Sequence, residues 1–158
     1  MVHNLEFATV VLVATVAVLL YAAFIDLKHY KTSNELILLL IGLFVLYAFL
    51  SDRWANAAWN LGLAAGVFLF LIYFYSRRWI GGGDIKILPV AFLWTGIECA
   101  FVFVLLLLLF VFLHTVAARF GWMESQRDDD SRQRIPFAPS IAVALIATIL
   151  LGCLHSSV

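Results

Sequence analysis

Two aspartates stand where an apolar chain would not be expected to keep them. Asp84 lies in "WIGGGDIKIL", residues 79–88, with three glycines before it, a lysine after it and apolar runs on both sides. Asp26 lies in "YAAFIDLKHYKTSNEL", residues 21–36, at the end of the first apolar run. Two carboxylates that face each other in a partly dry site cannot both ionise cheaply, so they share a proton and titrate as a unit. The ionised partner can then draw a proton from water while the protonated one hydrogen-bonds a scissile carbonyl oxygen, which is aspartic-protease chemistry. Gly81 and Gly83 carry no Cβ. Their backbone can take positive φ, and a substrate strand can approach Asp84 closely. The plainer reading is structural: Asp84 caps a helix whose free N–H groups it satisfies, and Asp26 is a polar residue leaving the apolar phase.

These residues must be positioned by helices in a membrane. The chain has 158 residues, of which 65% are hydrophobic and 13% charged, with a mean hydropathy of +1.04. A soluble domain of this size needs more polar surface. The apolar residues come in long runs rather than in the alternation of a membrane barrel. The formal net charge is zero, so bulk charge implies no nucleic-acid partner. The apolar runs fall near 7–25, 35–50, 58–75, 85–116 and 138–154. The stretch 85–116 is too long for one ordinary span, and it contains Pro89 and the break "WTGIE", residues 94–98.

Charge placement chooses between one long helix and a hairpin. All ten Lys and Arg residues except Arg53 fall in three clusters: Lys28 and Lys31; Arg77, Arg78 and Lys86; and Arg119, Arg127, Arg132 and Arg134. Basic loops stay in the cytoplasm, and all three clusters lie on one side only if 85–116 crosses twice. The expectation is an all-α, polytopic membrane bundle of about six transmembrane helices with both termini outside. It forms one membrane-embedded domain over 1–158. The fourth helix, near 85–96, would be short: about twelve residues reach only about 18 Å. Asp26 and Asp84 then share the cytoplasmic boundary.

Other residues carry weaker signals. The two cysteines, Cys99 and Cys153, form no C-x-x-C, and two buried thiols are expected rather than a zinc site or a disulfide framework. The histidines are scattered, so no metal site and no cofactor are expected. The polar stretch 119–137 reads as a solvated loop, and Asp128–Asp130 as solvated carboxylates rather than an ion site. The five tryptophans, Trp54, Trp59, Trp79, Trp94 and Trp122, fall near expected membrane interfaces. Asn34 reads as an N-cap with Glu35 in the first helical turn. Lys86 has two readings: a charge that biases the proton affinity of the pair, or, preferred, a contact to lipid phosphates.

The motifs together resemble the type IV prepilin peptidase family. "GGGDIKIL" is similar to its GxGD motif, with Gly81, Gly83 and Asp84 in register and Lys86 at the usual basic position. "DLKHYKTSN" resembles its first aspartate motif, in which a basic residue follows two positions after the aspartate and Ile-Pro-Asn ends the run. Asp26, Lys28 and Asn34 match, while Thr32 and Ser33 replace Ile-Pro. That departure puts the loop geometry in question more than the chemistry. "RIPFAPSIAVAL", residues 134–145, resembles the segment entering the last helix. The likeness runs from about residue 20 to 150.

The resemblance implies a bacterial inner-membrane aspartic endopeptidase with Asp26 and Asp84 as the catalytic pair. Gly81, Gly83, Lys28, Asn34 and Lys86 would shape the site. The substrate would be a prepilin or pseudopilin precursor, whose short basic leader is cut off after a glycine at the cytoplasmic face. No counterpart of the family's cysteine-paired methylating segment is seen, so the chain looks like the short form associated with tight-adherence (Flp) pili. Two alternatives stand beside it: a broader intramembrane aspartyl protease related to signal peptide peptidase and presenilin, and a non-enzymatic membrane protein with an interfacial aspartate pair.

Overall fold

The computed structural model describes residues 2–29, 33–51, 54–78, 80–120 and 138–151. Within them the chain forms five helices: α1 (Val2–His29), α2 (Asn34–Leu50), α3 (Trp54–Ser76), α4 (Asp84–Arg119) and α5 (Ala138–Leu150). No strand occurs among the described residues. Three stretches, Glu6–Asp26, Trp54–Ser76 and Asp84–Ala117, are long and apolar enough to cross a membrane, and Asn34–Leu50 and Ala138–Leu150 are shorter apolar helices. Asp128–Asp130, Thr32, Arg53, Trp79, Trp122 and Cys153 lie outside the described residues.

The 36 residues of α4 would reach about 54 Å as a straight rod, well beyond a hydrocarbon core of about 30 Å. The helix is not straight. Gly96 has φ 63° and ψ −176°, outside the helical region, and divides α4 into two arms. The rings of Phe92 and Phe103 meet at 5.2 Å between centroids. On an unbroken helix those residues would be separated by about 16 Å of rise. The chain therefore bends sharply at Gly96, inside the break expected from "WTGIE", and Pro89 stays within the helical run. The two arms occupy the stretch in which the fourth and fifth helices of the expectation fall.

Glycine is required at the bend for two reasons. Few side chains tolerate this φ and ψ. A Cβ on Gly96 would also lie 2.5 Å from Asn60 Oδ1, because α3 presses its carboxamide against the bend.

The short first arm is enclosed by protein. Ile85, Ile87, Val90, Ala91, Leu93, Trp94 and Thr95 are all buried, so apolar surface is covered around the whole cylinder rather than along one stripe. An arm of about 18 Å enclosed this way need not match the bilayer thickness itself. Trp94 is 1% exposed, and its indole N–H donates to the Leu40 carbonyl at 3.1 Å. Its ring meets Phe44 edge-on at 5.6 Å. The expectation of an interfacial tryptophan is corrected here: Trp94 is core, because α2 offers both an aromatic wall and an acceptor for its N–H. Trp54 and Trp59 are exposed.

Two long-range bonds give α2 and the first arm the same direction. Lys86 pairs with Asn34 near their starts, and Trp94 pairs with Leu40 further along. The end of α1 is joined to the start of α2 by a short link, so the C-terminal end of α1 and the N-terminal ends of α2 and α4 gather at one end of the bundle. On the outside, α3 buries only Ala64 and Leu71 and exposes Phe68, Leu69, Phe70 and Tyr73. An apolar surface of this extent is what lipid would cover. The run 101–110 serves both purposes, with Phe103 fully buried and Phe101, Leu105, Leu108 and Leu109 exposed.

Candidate active site

Asp26 continues a core stripe. Among the described residues of α1, the buried ones are Ala8, Val11, Thr15, Leu19, Ala22 and Asp26, spaced three or four apart along one face. The helix thus delivers a carboxylate, only 7% exposed, to the face that otherwise packs the bundle. It runs on to His29, so Asp26 lies inside the last turns rather than at the helix end. Lys28 is exposed. Two residues of helix rotate it about 200° away from Asp26, so the two side chains do not face each other.

Asp84 is the first residue of α4 and is partly buried. The carbonyl of Gly83 accepts the N–H groups of Lys86 at 3.1 Å and Ile87 at 3.2 Å, which starts the helix, and that of Gly81 accepts Ile85 N–H at 3.4 Å. A carboxylate in the first turn is favoured by the helix dipole, so part of the structural reading of Asp84 holds. That reading does not account for Asp26, which lies within electrostatic range of Asp84. Residues far apart in sequence are thus brought to one end of the bundle.

The turn before Asp84 leaves the carboxylate open on one side. Gly81 and Gly82 are exposed. A Cβ on Gly81 would lie 3.2 Å from Asp84 Oδ2, a tight approach. The positive φ expected at Gly81 and Gly83 is not found there, and the use of Gly81 is space rather than backbone freedom. Arg78 takes φ 59° where α3 ends and donates its N–H to the Tyr75 carbonyl at 2.8 Å. Arg77 bonds the Tyr73 hydroxyl at 3.2 Å and stacks on that ring.

The neighbouring motif residues differ from expectation in detail. Ser33 is the N-cap of α2, its hydroxyl accepting Leu36 N–H at 3.4 Å, and Asn34 is the first helical residue. The cap falls one residue earlier because Ser33 has the extended φ and ψ that a cap requires. Glu35 lies in the first turn as expected. The freed Asn34 side chain accepts a bond from Lys86 Nζ at 2.8 Å. Neither expected reading of Lys86 anticipates this bond to a neutral amide.

Other groups escaped the sequence reading. His114 Nδ1 lies 3.1 Å from Ser140 Oγ, joining the second arm of α4 to α5. Cys99 is disulfide-bonded rather than a free buried thiol. Such bonds persist in oxidising compartments, and a span-by-span reading of hydropathy gives no sign of them. Among the described residues no group of His, Cys, Asp and Glu could hold a metal ion. A cleft of about 260 Å³ lies at the far end of the bundle, lined by Tyr47, Ser51, Asn60, Gly96 and Glu98 among others. The length of the first arm, about 18 Å, separates it from Asp84, so it takes no part in carboxylate chemistry there.

No curated protein and no solved structure gives a significant match to the chain. The sequence model of the type IV leader peptidase family matches residues 13–156, most of the chain, so the chain belongs to that family.

Proposed function

We propose that this protein is a membrane aspartic endopeptidase that removes the leader from type IV prepilin or pseudopilin precursors. The supporting observation is the placement of Asp26 and Asp84 at one end of the bundle, one on a buried stripe and one beside an open glycine turn. Family membership supports the peptidase class.

The chemistry needs only the pair and a water. The ionised carboxylate takes a proton from water, and the oxygen attacks the peptide carbonyl carbon. The protonated carboxyl gives its proton to the carbonyl oxygen as the tetrahedral intermediate forms. When the C–N bond breaks, the proton held by the base passes to the leaving amine, one hydroxyl of the intermediate returns its proton to the other carboxylate as the new carbonyl forms, and the pair again shares one proton. Gly81 leaves room for the substrate backbone against Asp84, and Gly83 fixes the helix start that aims it. The exposed Lys28 faces away from the pair and acts on the surroundings of the site rather than on the reaction.

The proposed topology has six crossings in the bacterial inner membrane, with the aspartates and the basic clusters at the cytoplasmic face. The disulfide at Cys99 supports it, since that residue belongs to the opposite, Gly96 end, where an oxidising periplasm would lie. A precursor would present a basic leader ending in glycine and an apolar helix lying in the same bilayer. The proposed substrates include those of tight-adherence pili.

The test is to incubate the purified protein in lipid with single-span precursors of this kind and to map the new N-terminus by mass spectrometry. One cut directly after the leader glycine is expected. Cuts inside the apolar helix would favour a broader intramembrane protease, and no cut of any precursor would favour a non-enzymatic role.

A further inference from the structure

We propose that Lys86 and Asn34 form a clamp that sets the spacing of the two carboxylates, which makes both positioning residues; the inference rests on the peptidase reading above. Lys86 Nζ donates to Asn34 Oδ1 at 2.8 Å across 52 residues of sequence. Asn34 opens α2 and Lys86 lies in the first turn of α4, two residues after Asp84. The link from α1 to α2 is short, so the bond completes a ring. It runs from Asp26 along the end of α1, through the link to Asn34, across to Lys86 and back to Asp84. A second hydrogen bond between α2 and the first arm of α4, Trp94 to Leu40, lies deeper in the bundle. Without the clamp, the first turn of α4 is held there by the packing of Ile85 and Ile87 and by its own backbone bonds.

The partner of the ammonium is a neutral amide, and that decides the kind of role. An amide fixes where the lysine head sits without cancelling its charge, so the bond constrains geometry and does not form an ion pair. Ser33 takes over the capping of α2, which leaves the Asn34 side chain free for this contact. Both residues are exposed, so replacing either removes the bond without opening a cavity in the core. A solvent-exposed hydrogen bond to a charged group contributes modestly, and its loss is expected to lower kcat roughly three- to tenfold.

Three variants separate position from charge: Lys86→Met, Asn34→Leu and the double variant, in the full chain reconstituted in lipid. The readouts are cleavage of a precursor with a basic leader ending in glycine, the pH profile of kcat, and hydrogen exchange at the first-turn amides of α2 and α4. The clamp predicts a similar loss of kcat in both single variants with KM little changed. It predicts no further loss in the double variant, an unmoved pH optimum and faster exchange over residues 84–87 in each. Lys86→Arg, which keeps a donor, should restore most of the activity. A shifted pH optimum in Lys86→Met alone, with Asn34→Leu behaving as wild type, would overturn the proposal in favour of a charge effect. So would additive losses. If the wild-type protein cuts no precursor, the peptidase reading fails by itself, and unchanged exchange over residues 84–87 in Asn34→Leu then overturns the clamp.

Discussion

Replacing Gly96 by alanine tests the bend that brings the two arms of α4 together. Two costs follow from the structure. The backbone at φ 63° and ψ −176° lies in a region nearly closed to residues with a Cβ, at a cost of about 1–3 kcal/mol. The new methyl group would stand 2.5 Å from Asn60 Oδ1, 2.7 Å from Nδ2 and 2.8 Å from Cγ, so the whole carboxamide must move. Overpacking of this kind costs about 1–3 kcal/mol, and less if Asn60 rotates freely. The sum is about 2–6 kcal/mol, a loss large enough to measure by equilibrium unfolding in mixed micelles. The second variant Asn60→Ala should divide it, since in the Asn60→Ala background the clash is gone and only the backbone part of about 1–3 kcal/mol remains. A Gly96→Ala protein within about 0.5 kcal/mol of wild type would refute the reasoning, because it would mean that the bend is not held at Gly96.

Two further outcomes follow from the turn that carries Asp84. Gly81→Ala places a methyl group 3.2 Å from Asp84 Oδ2 on an exposed loop, so precursor cleavage should fall by about tenfold while the unfolding midpoint stays near wild type. Equal activity would show that the carboxylate has room to spare. Arg78→Gly removes a non-glycine residue from φ 59°, and unfolding in micelles should show a gain of about 1 kcal/mol. A loss of stability instead would mean that contacts of the arginine side chain outweigh the backbone strain.

Much of the frame was legible because it is written in local signals. The hairpin within 85–116 follows from length, from "WTGIE" and from the charge clusters, and the bend falls at Gly96 inside that break. The stripe that carries Asp26 is a spacing of three and four along one helix, but α1 is apolar on its exposed faces too, so the sequence does not mark it. What the sequence hid are side-chain choices made across long separations. Nothing local says that Lys86 bonds Asn34, or that Asn60 sits against Gly96. The place of Trp94 depends on what α2 presents to it, so a ring expected at the interface is in the core. The cap of α2 moved by one residue because Ser33 and Asn34 are both good caps, and only the backbone angles distinguish them.

The central claim is that Asp26 and Asp84 act together on one peptide bond. Its most direct test compares single-turnover cleavage by the wild-type protein with Asp26→Asn, Asp84→Asn and the double variant, all shown to be folded and membrane-inserted. Each single variant is predicted to lose cleavage by roughly 10²–10⁴-fold or more, and the double variant to be no worse than the singles, as for groups that work as a unit. Cleavage at the wild-type rate in either single variant would contradict the account.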